Sequence, residues 1–395
     1  MEALLRNQPD TILRQVLDHP ERYEAQIIYT RIDRDADNVP HFTTWRLGVD
    51  DTRYFYPAST VKMPTAFMAL EKLRLLGIEG LDPDDPMLTL AGKAPQTATL
   101  ADTTAPTGLP SVAHYIRKIF LVSDNEAQNR LYEFVGQRAL NEGLWQKGYR
   151  HTRIVHRLGP GGFPFGFEDN RYTNPVQFLD AETGQLLYYQ GMVYSDGWPA
   201  HLMLKGTLRG KAHLAEGRLV PQPFNFSRKN FVSLQDLHDM LQAVMFPEAV
   251  PEARRFRLTD DDYAFLWKAM SQLPRESRNP HYDLPDNYVK FFIFGDADST
   301  VRIPDHIRIF NKVGWAYGFL TDVAYIVDFE QGVEFMVAAT IHVNANETYN
   351  DGVYEYDTIG LPFLAAAGRA LYAYERQRPR SRRPDLSRLR QALER

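Results

Sequence analysis

The chain has 395 residues, 44% hydrophobic and 24% charged, an ordinary globular composition with length for two or three domains and a sizeable core. A net charge of −5 argues against wholesale nucleic-acid binding, and the absence of cysteine removes disulfides, thiolate nucleophiles and cysteine-based zinc sites. No stretch approaches the ~18 apolar residues of a membrane span, and the start Met1-Glu2-Ala3-Leu4-Leu5-Arg6-Asn7 is too polar for a signal peptide.

In chain order, Thr11–Leu17 reads as an amphipathic helix with Ile12, Val16 and Leu17 on one side. Gln26–Thr30 and Phe42–Leu47 read as strands on either side of the polar turn 33–38. A helix carrying Ser59 runs to about Leu76 and stops at Gly77; Pro64 lies near enough to its start to be tolerated. Residues 83–110, rich in Asp, Thr and Pro, read as loop, and helical patterns resume at Val112–Leu121 and Glu126–Val135. After the glycine-rich run 159–166, strands are predicted at Val176–Leu179 and Leu186–Val193, then helices at Leu234–Met245 and Asp261–Leu273. Arg308–Val313, Thr321–Phe329 and Glu334–Val343 read as three successive strands, and Thr358–Tyr374 as a closing helix. The tail from Arg376 holds eight Arg against Asp385 and Glu394, a local +6 that leaves −11 on the remainder; it reads as a solvated, frayed terminus, with a weak anchor to an anionic surface as the alternative. Strands at both ends with helices between predict an α+β fold: an antiparallel sheet built from both termini, flanked by helices, with a mostly helical lobe inserted. The expected division is 1–58 with 305–395 for the sheet domain and 59–304 for the helical domain.

Three short motifs carry the chemistry. Ser59-Thr60-Val61-Lys62 puts a hydroxyl and an ammonium three residues apart on one helix face, where a desolvated lysine can act as base toward a serine nucleophile. Taken alone, the pair reads more simply as an N-cap, Ser59, and a solvated helix residue, Lys62. Ser123-Asp124-Asn125 falls between two helices, where all three residue types favour caps, but where Ser123 could also shuttle a proton and Asn125 hold a substrate amide. Lys312-Val313-Gly314 opens a late strand, and Gly314 leaves room for a substrate against the backbone. The eleven histidines show no metal-binding spacing; His114, His156, His201 and His213 read as scattered surface or core residues, and no cofactor motif is present.

Together the motifs resemble the serine β-lactamase and penicillin-binding protein superfamily, class A β-lactamases most closely, whose signatures are S-x-x-K, S-D-N and K-T-G. The likeness extends through Lys312-Val313-Gly314-Trp315-Ala316-Tyr317-Gly318 to Asp322 and Ala324, over residues ~20–155 and ~225–375. It implies a serine hydrolase acting on an amide or ester through a covalent acyl-enzyme. Ser59 would be acylated, Lys62 would be its base or relay, Ser123 would transfer protons, and Lys312 would hold a substrate carboxylate. The backbone N–H groups of Ser59 and Trp315 would form the oxyanion hole, and Asn125 and Gly314 would contact substrate. A small-molecule or peptide-like substrate bearing a carboxylate follows, as does a periplasmic or secreted location; with Met1 as native start the location would be cytoplasmic.

Two departures stand out. Val313 replaces the hydroxyl residue of K-T-G. In Arg157-Leu158-Gly159-Pro160, Gly159 stands where the class A loop carries the Glu that activates the deacylating water. Glu168, or Asp169 beside it, is the candidate displaced base; otherwise deacylation is slow, as in a penicillin-binding or peptidase-like protein, or the scaffold only binds. The chain between Ser123 and Lys312 is longer than the family needs. The excess, about 159–225, carries the aromatics Phe163, Phe165, Tyr188, Tyr189 and Trp198 and could recast the pocket.

Overall fold

The computed structural model describes residues 1–159, 165–197 and 202–394. Its centre is a five-stranded antiparallel sheet. Strands β1 (Gln26–Arg34) and β2 (Pro40–Leu47) come from one end of the chain; β3 (Ile307–Ala316), β4 (Phe319–Asp328) and β5 (Val333–His342) come from the other. They lie in the order β3-β4-β5-β1-β2, so β1 and β5 close the sheet across most of the sequence. The β3–β4 hairpin turns on Tyr317 and Gly318, both at positive φ (56° and 80°), the primed geometry that matches strand twist.

Each face of the sheet buries its own core, as the two-residue side-chain period dictates. On one face Ile27, Tyr29, Val313, Leu320 and Phe335 pack with α1 (Thr11–Asp18) and the long C-terminal helix Leu361–Gln377. Val289, Phe291, Phe292, Ile293 and Ile303 join this layer, so the chain returns to the sheet before residue 305. On the opposite face Ile28, Phe310, Val323, Tyr325 and Met336 pack against the helical lobe. The lobe comprises α2 (Lys62–Leu75), α3 (Val112–Val122), α4 (Asn125–Val135), α5 (Gln137–Gln146), α6 (Leu234–Met245) and α7 (Asp260–Ser271). Four begin on side-chain caps: Ser111, Asp124, Ser233 and Thr259, the last in a full capping box.

The predicted elements are present, with differences that have local causes. α2 begins at Lys62, because residues Ala58–Val61 wind as a 3₁₀ turn. The expected loop 83–110 contributes a short strand, Met87–Thr89, that pairs with Val176–Leu179. Between residues 172 and 232 the chain forms small two- and three-stranded sheets, most too short for a periodic signal; one of them, Ala212–Ala215, runs parallel to Thr348–Tyr349. Arg209 fastens this region to the sheet side through a bidentate ion pair with Glu24. The tail is ordered rather than frayed. Three of its arginines meet acids: Arg378 the buried Glu375 and also Asp33, Arg380 the same Glu375, and Arg388 both Glu248 and Asp260. A last helix, α9 after α8 (Leu361–Gln377), spans Ser387–Glu394 and buries Leu389 and Ala392 against α7.

Candidate active site

The three motifs meet at the seam between the sheet and the lobe. The 3₁₀ turn eclipses positions i and i+3 and so puts Ser59 and Lys62 on one side. Ala58, buried, takes φ 46° immediately before Ser59, a strained conformation for a residue with a Cβ. Strand β3 lies directly against this turn. A Cβ on Gly314 would sit 2.5 Å from Pro57 O, 2.9 Å from Ser59 N and 2.9 Å from Thr60 N, so only glycine lets the two backbones approach this closely.

Ser123 ends α3 in the left-handed region (φ 58°), and Asp124 caps α4 by accepting from Ala127 N at 2.7 Å. Capping and site-building are therefore done by the same three residues. The tight turn presents Ser123 to two lysines: its Oγ accepts from Lys62 Nζ at 3.1 Å and from Lys312 Nζ at 2.8 Å. Lys62 also donates to Ser123 O, and to Asn125 Oδ1 at 2.7 Å, which occupies all three of its protons when charged. Lys312 also donates to Val313 O at 2.8 Å. Among the described residues no hydrogen bond joins the Ser59 hydroxyl to Lys62.

Both amines are almost wholly buried, Lys62 at 0% and Lys312 at 2% exposure. Burial pulls the Lys62 pKa down to about 7, with Asp124 pulling weakly the other way. Lys312 is driven well below the ordinary lysine value by burial first and then by the neighbouring Lys62 ammonium, with Asp322 opposing. On the opposite face of β3, Asn311 bonds Lys290 Nζ at 2.7 Å and Asp322 at 2.9 Å. Lys290 and Asp322 are themselves buried, and burial raises the Asp322 carboxyl to about 6.

Ser59, Asn125 and Trp315 open onto a cleft of about 1090 Å³. Lys62, Ser123 and Lys312 stand behind that surface. Phe165, His156, His213, Phe224, Arg228 and Lys229 line it as well, so the long segment after residue 156 does shape the pocket. His156 is buried, with a pKa lowered to about 3 by burial. Its Nε2 accepts from Asn230 N at 3.1 Å, which makes Nδ1 the donor to Arg157 O at 2.6 Å.

Glu168 is not brought to this cleft. Its carboxylate pairs with Arg171 at 3.1 Å and is 58% exposed, because the turn 169–171 directs it outward. Asp169 faces Lys93 and accepts from Gly166 N. Asn170 does line the cleft, buried, accepting from Arg157 N at 2.9 Å. Arg157 is held in turn by Glu133 at 2.7 Å. Tyr188 packs on core Phe178, Tyr189 is exposed, and Phe163, Trp198 and His201 lie outside the described residues. His114 is buried in the lobe, bonded to Thr104. No metal-binding cluster occurs among the described residues, and none of their helices is long and apolar enough to cross a membrane. Sequence reasoning missed the Arg228–Lys229 wall and the Lys290–Asn311 link. The first resembles any charged turn, and the second joins residues whose pairing is decided by register.

The scaffold is thus an α+β fold whose five-stranded antiparallel sheet meets a helical lobe where the Ser59 turn lies beside Ser123 and two buried lysines. The chain belongs to the β-lactamase enzyme family, whose model matches residues 39–374. Among solved structures it is similar to the β-lactamase from Sphaerobacter thermophilus DSM 20745, at 14% identity and TM-score 0.48, covering 94% of this chain and 98% of that one. It is similar to the class A β-lactamase from Clostridium kluyveri DSM 555, at 14% identity and TM-score 0.47, covering 91% and 97%. It is also similar to PBP-A, at 14% identity and TM-score 0.47, covering 94% of each chain. No curated protein sequence matches the chain.

Proposed function

We propose that this protein is a serine acyl-transfer hydrolase that forms an acyl-enzyme on Ser59 with amide or ester substrates, β-lactams included, and releases the acyl group slowly. The observation that carries this reading is the shared Ser123 Oγ, bonded by two desolvated lysines directly behind Ser59. A lysine with a pKa near 7 is neutral often enough at neutral pH to take a proton. In the forward step the neutral Lys62 amine removes the Ser59 proton and Oγ bonds to the substrate carbonyl carbon. The oxyanion forms against the Ser59 and Trp315 N–H groups; Gly314, the residue before Trp315, packs closely against Ser59 N. Lys62 then returns its proton through Ser123 to the leaving nitrogen or oxygen as the carbonyl–heteroatom bond breaks. Lys312 orients this relay by donating to Ser123 Oγ, and Asn125 steadies a substrate amide. Deacylation requires a water and a base; with Gly159 at the loop and Glu168 paired to Arg171, the described residues of this loop bring no carboxylate to the cleft, which favours a long-lived adduct.

Incubation with a chromogenic cephalosporin and an aryl ester, followed by intact-mass measurement, tests this. A persistent adduct on the wild-type chain that vanishes in Ser59→Ala is expected. Full adduct formation by the alanine variant would overturn the assignment of the nucleophile.

A further inference from the structure

One end of the Ser59 cleft is lined by a wall that the proposed acyl transfer does not use. Phe224 stacks on Tyr317 at 5.4 Å with planes 29° apart, which gives the cleft an aromatic side. Lys229 Nζ lies 5.9 Å over the Phe224 ring, and the Arg228 guanidinium lies 4.8 Å over the Phe167 ring. Neither cation has an acidic partner among the described residues. Of the other charged groups on the cleft, Arg157 is paired with the buried Glu133, and Glu216 stands exposed to solvent on the turn between two short strands. Lys229 is half-buried, and burial lowers its pKa, so its ammonium is desolvated with no counter-charge in return.

The pair is not a loose loop tip. Asn230, fully buried, accepts from Val155 N at 2.7 Å and from His156 N at 3.1 Å, and Tyr54 donates to its carbonyl at 3.0 Å. His156 lies parallel to Tyr56 at 6.3 Å, three residues before Ser59. Rigid contacts therefore link Lys229 to the turn of the nucleophile. Lys312 cannot substitute for this wall, because its ammonium is 2% exposed, spent on Ser123 and Val313, and absent from the cleft surface.

The geometry points to an anion subsite in which Arg228 and Lys229 hold a carboxylate remote from the reacting carbonyl, at the end of a planar apolar arm lying on Phe224 and Tyr317. The substrate class is an amide or ester with an aryl arm that ends in a carboxylate. This rests on the acyl-transfer reading for the reaction, but the subsite is a binding claim and is tested without chemistry.

The full-length Ser59→Ala chain would be titrated calorimetrically with two unreactive aryl-acetamides that differ only by a carboxylate on the ring. A charge-assisted contact predicts about tenfold tighter binding of the carboxylate at low salt, shrinking as salt screens it. In Arg228→Gln/Lys229→Met the ratio of the two dissociation constants falls toward one. If the double variant unfolds, the exposed Arg228→Gln change alone is read, with an intermediate ratio expected. Equal affinities in the parent, or a ratio that survives both substitutions, overturns the subsite. Loss of Ser59 acylation with the binding ratio intact would count against the reaction alone.

Discussion

Gly314→Ala tests how the site is assembled. The added methyl would stand 2.5 Å from Pro57 O and 2.9 Å from two amide nitrogens, all backbone atoms that cannot rotate away. To reach ordinary contact at 3.4 Å, β3 and the 3₁₀ turn must separate by roughly 0.9 Å. Overpacking of this kind costs about 1–3 kcal/mol of stability. The larger effect is expected on the proposed chemistry, because the same shift moves Ser59 N away from the strand that carries Lys312 and Trp315. A misplacement near 1 Å costs on the order of 100-fold in rate. Acylation of Ser59 is followed by intact mass at several cephalosporin concentrations, with thermal unfolding in parallel. The control is Gly191→Ala, where a methyl meets open space and no positive φ is required; it leaves both readouts unchanged. A folded Gly314→Ala protein that acylates within twofold of wild type would refute the argument that this contact sets the geometry.

In the proposed mechanism acylation needs neutral Lys62, so its rate is expected to rise with pH through about 7 and level above it; Lys62→Gln removes the rise and lowers the rate about 100-fold or more, read by stopped-flow absorbance. The direction follows from burial: a lowered pKa means the reactive form is gained, not lost, as pH increases. Glu168→Gln leaves the lifetime of the adduct unchanged, because its carboxylate is engaged with Arg171; a lifetime lengthened tenfold in time-resolved mass spectra would show that it reaches the site. Leu389→Ala destabilises the chain by about 2–3 kcal/mol in urea unfolding, since the side chain is 8% exposed and packs with the lobe; a change below about 0.5 kcal/mol would return the tail to a frayed state.

Much of the scaffold was legible in the sequence because its elements are long and strongly periodic. The hydrophobic runs of β3, β4 and β5 differ from prediction by only a few end residues, as do most of the helices. The sequence by itself determined which chemical groups the site can draw on, two hydroxyls and two lysines within three motifs, and it located the departure at Gly159. Only the tertiary structure decided where they are placed and how deeply they are buried. Strand register turns Lys312 toward the lobe and Asn311 to the opposite face, and a slip of one residue would exchange them. Burial, which no local pattern encodes, lowers the lysine pKa values. The arginine-rich tail and the Arg228–Lys229 wall show the same principle in reverse. Their charges look alike along the chain, yet one set finds acids across the fold and the other faces an open cleft, because ion pairing is settled by distance in space.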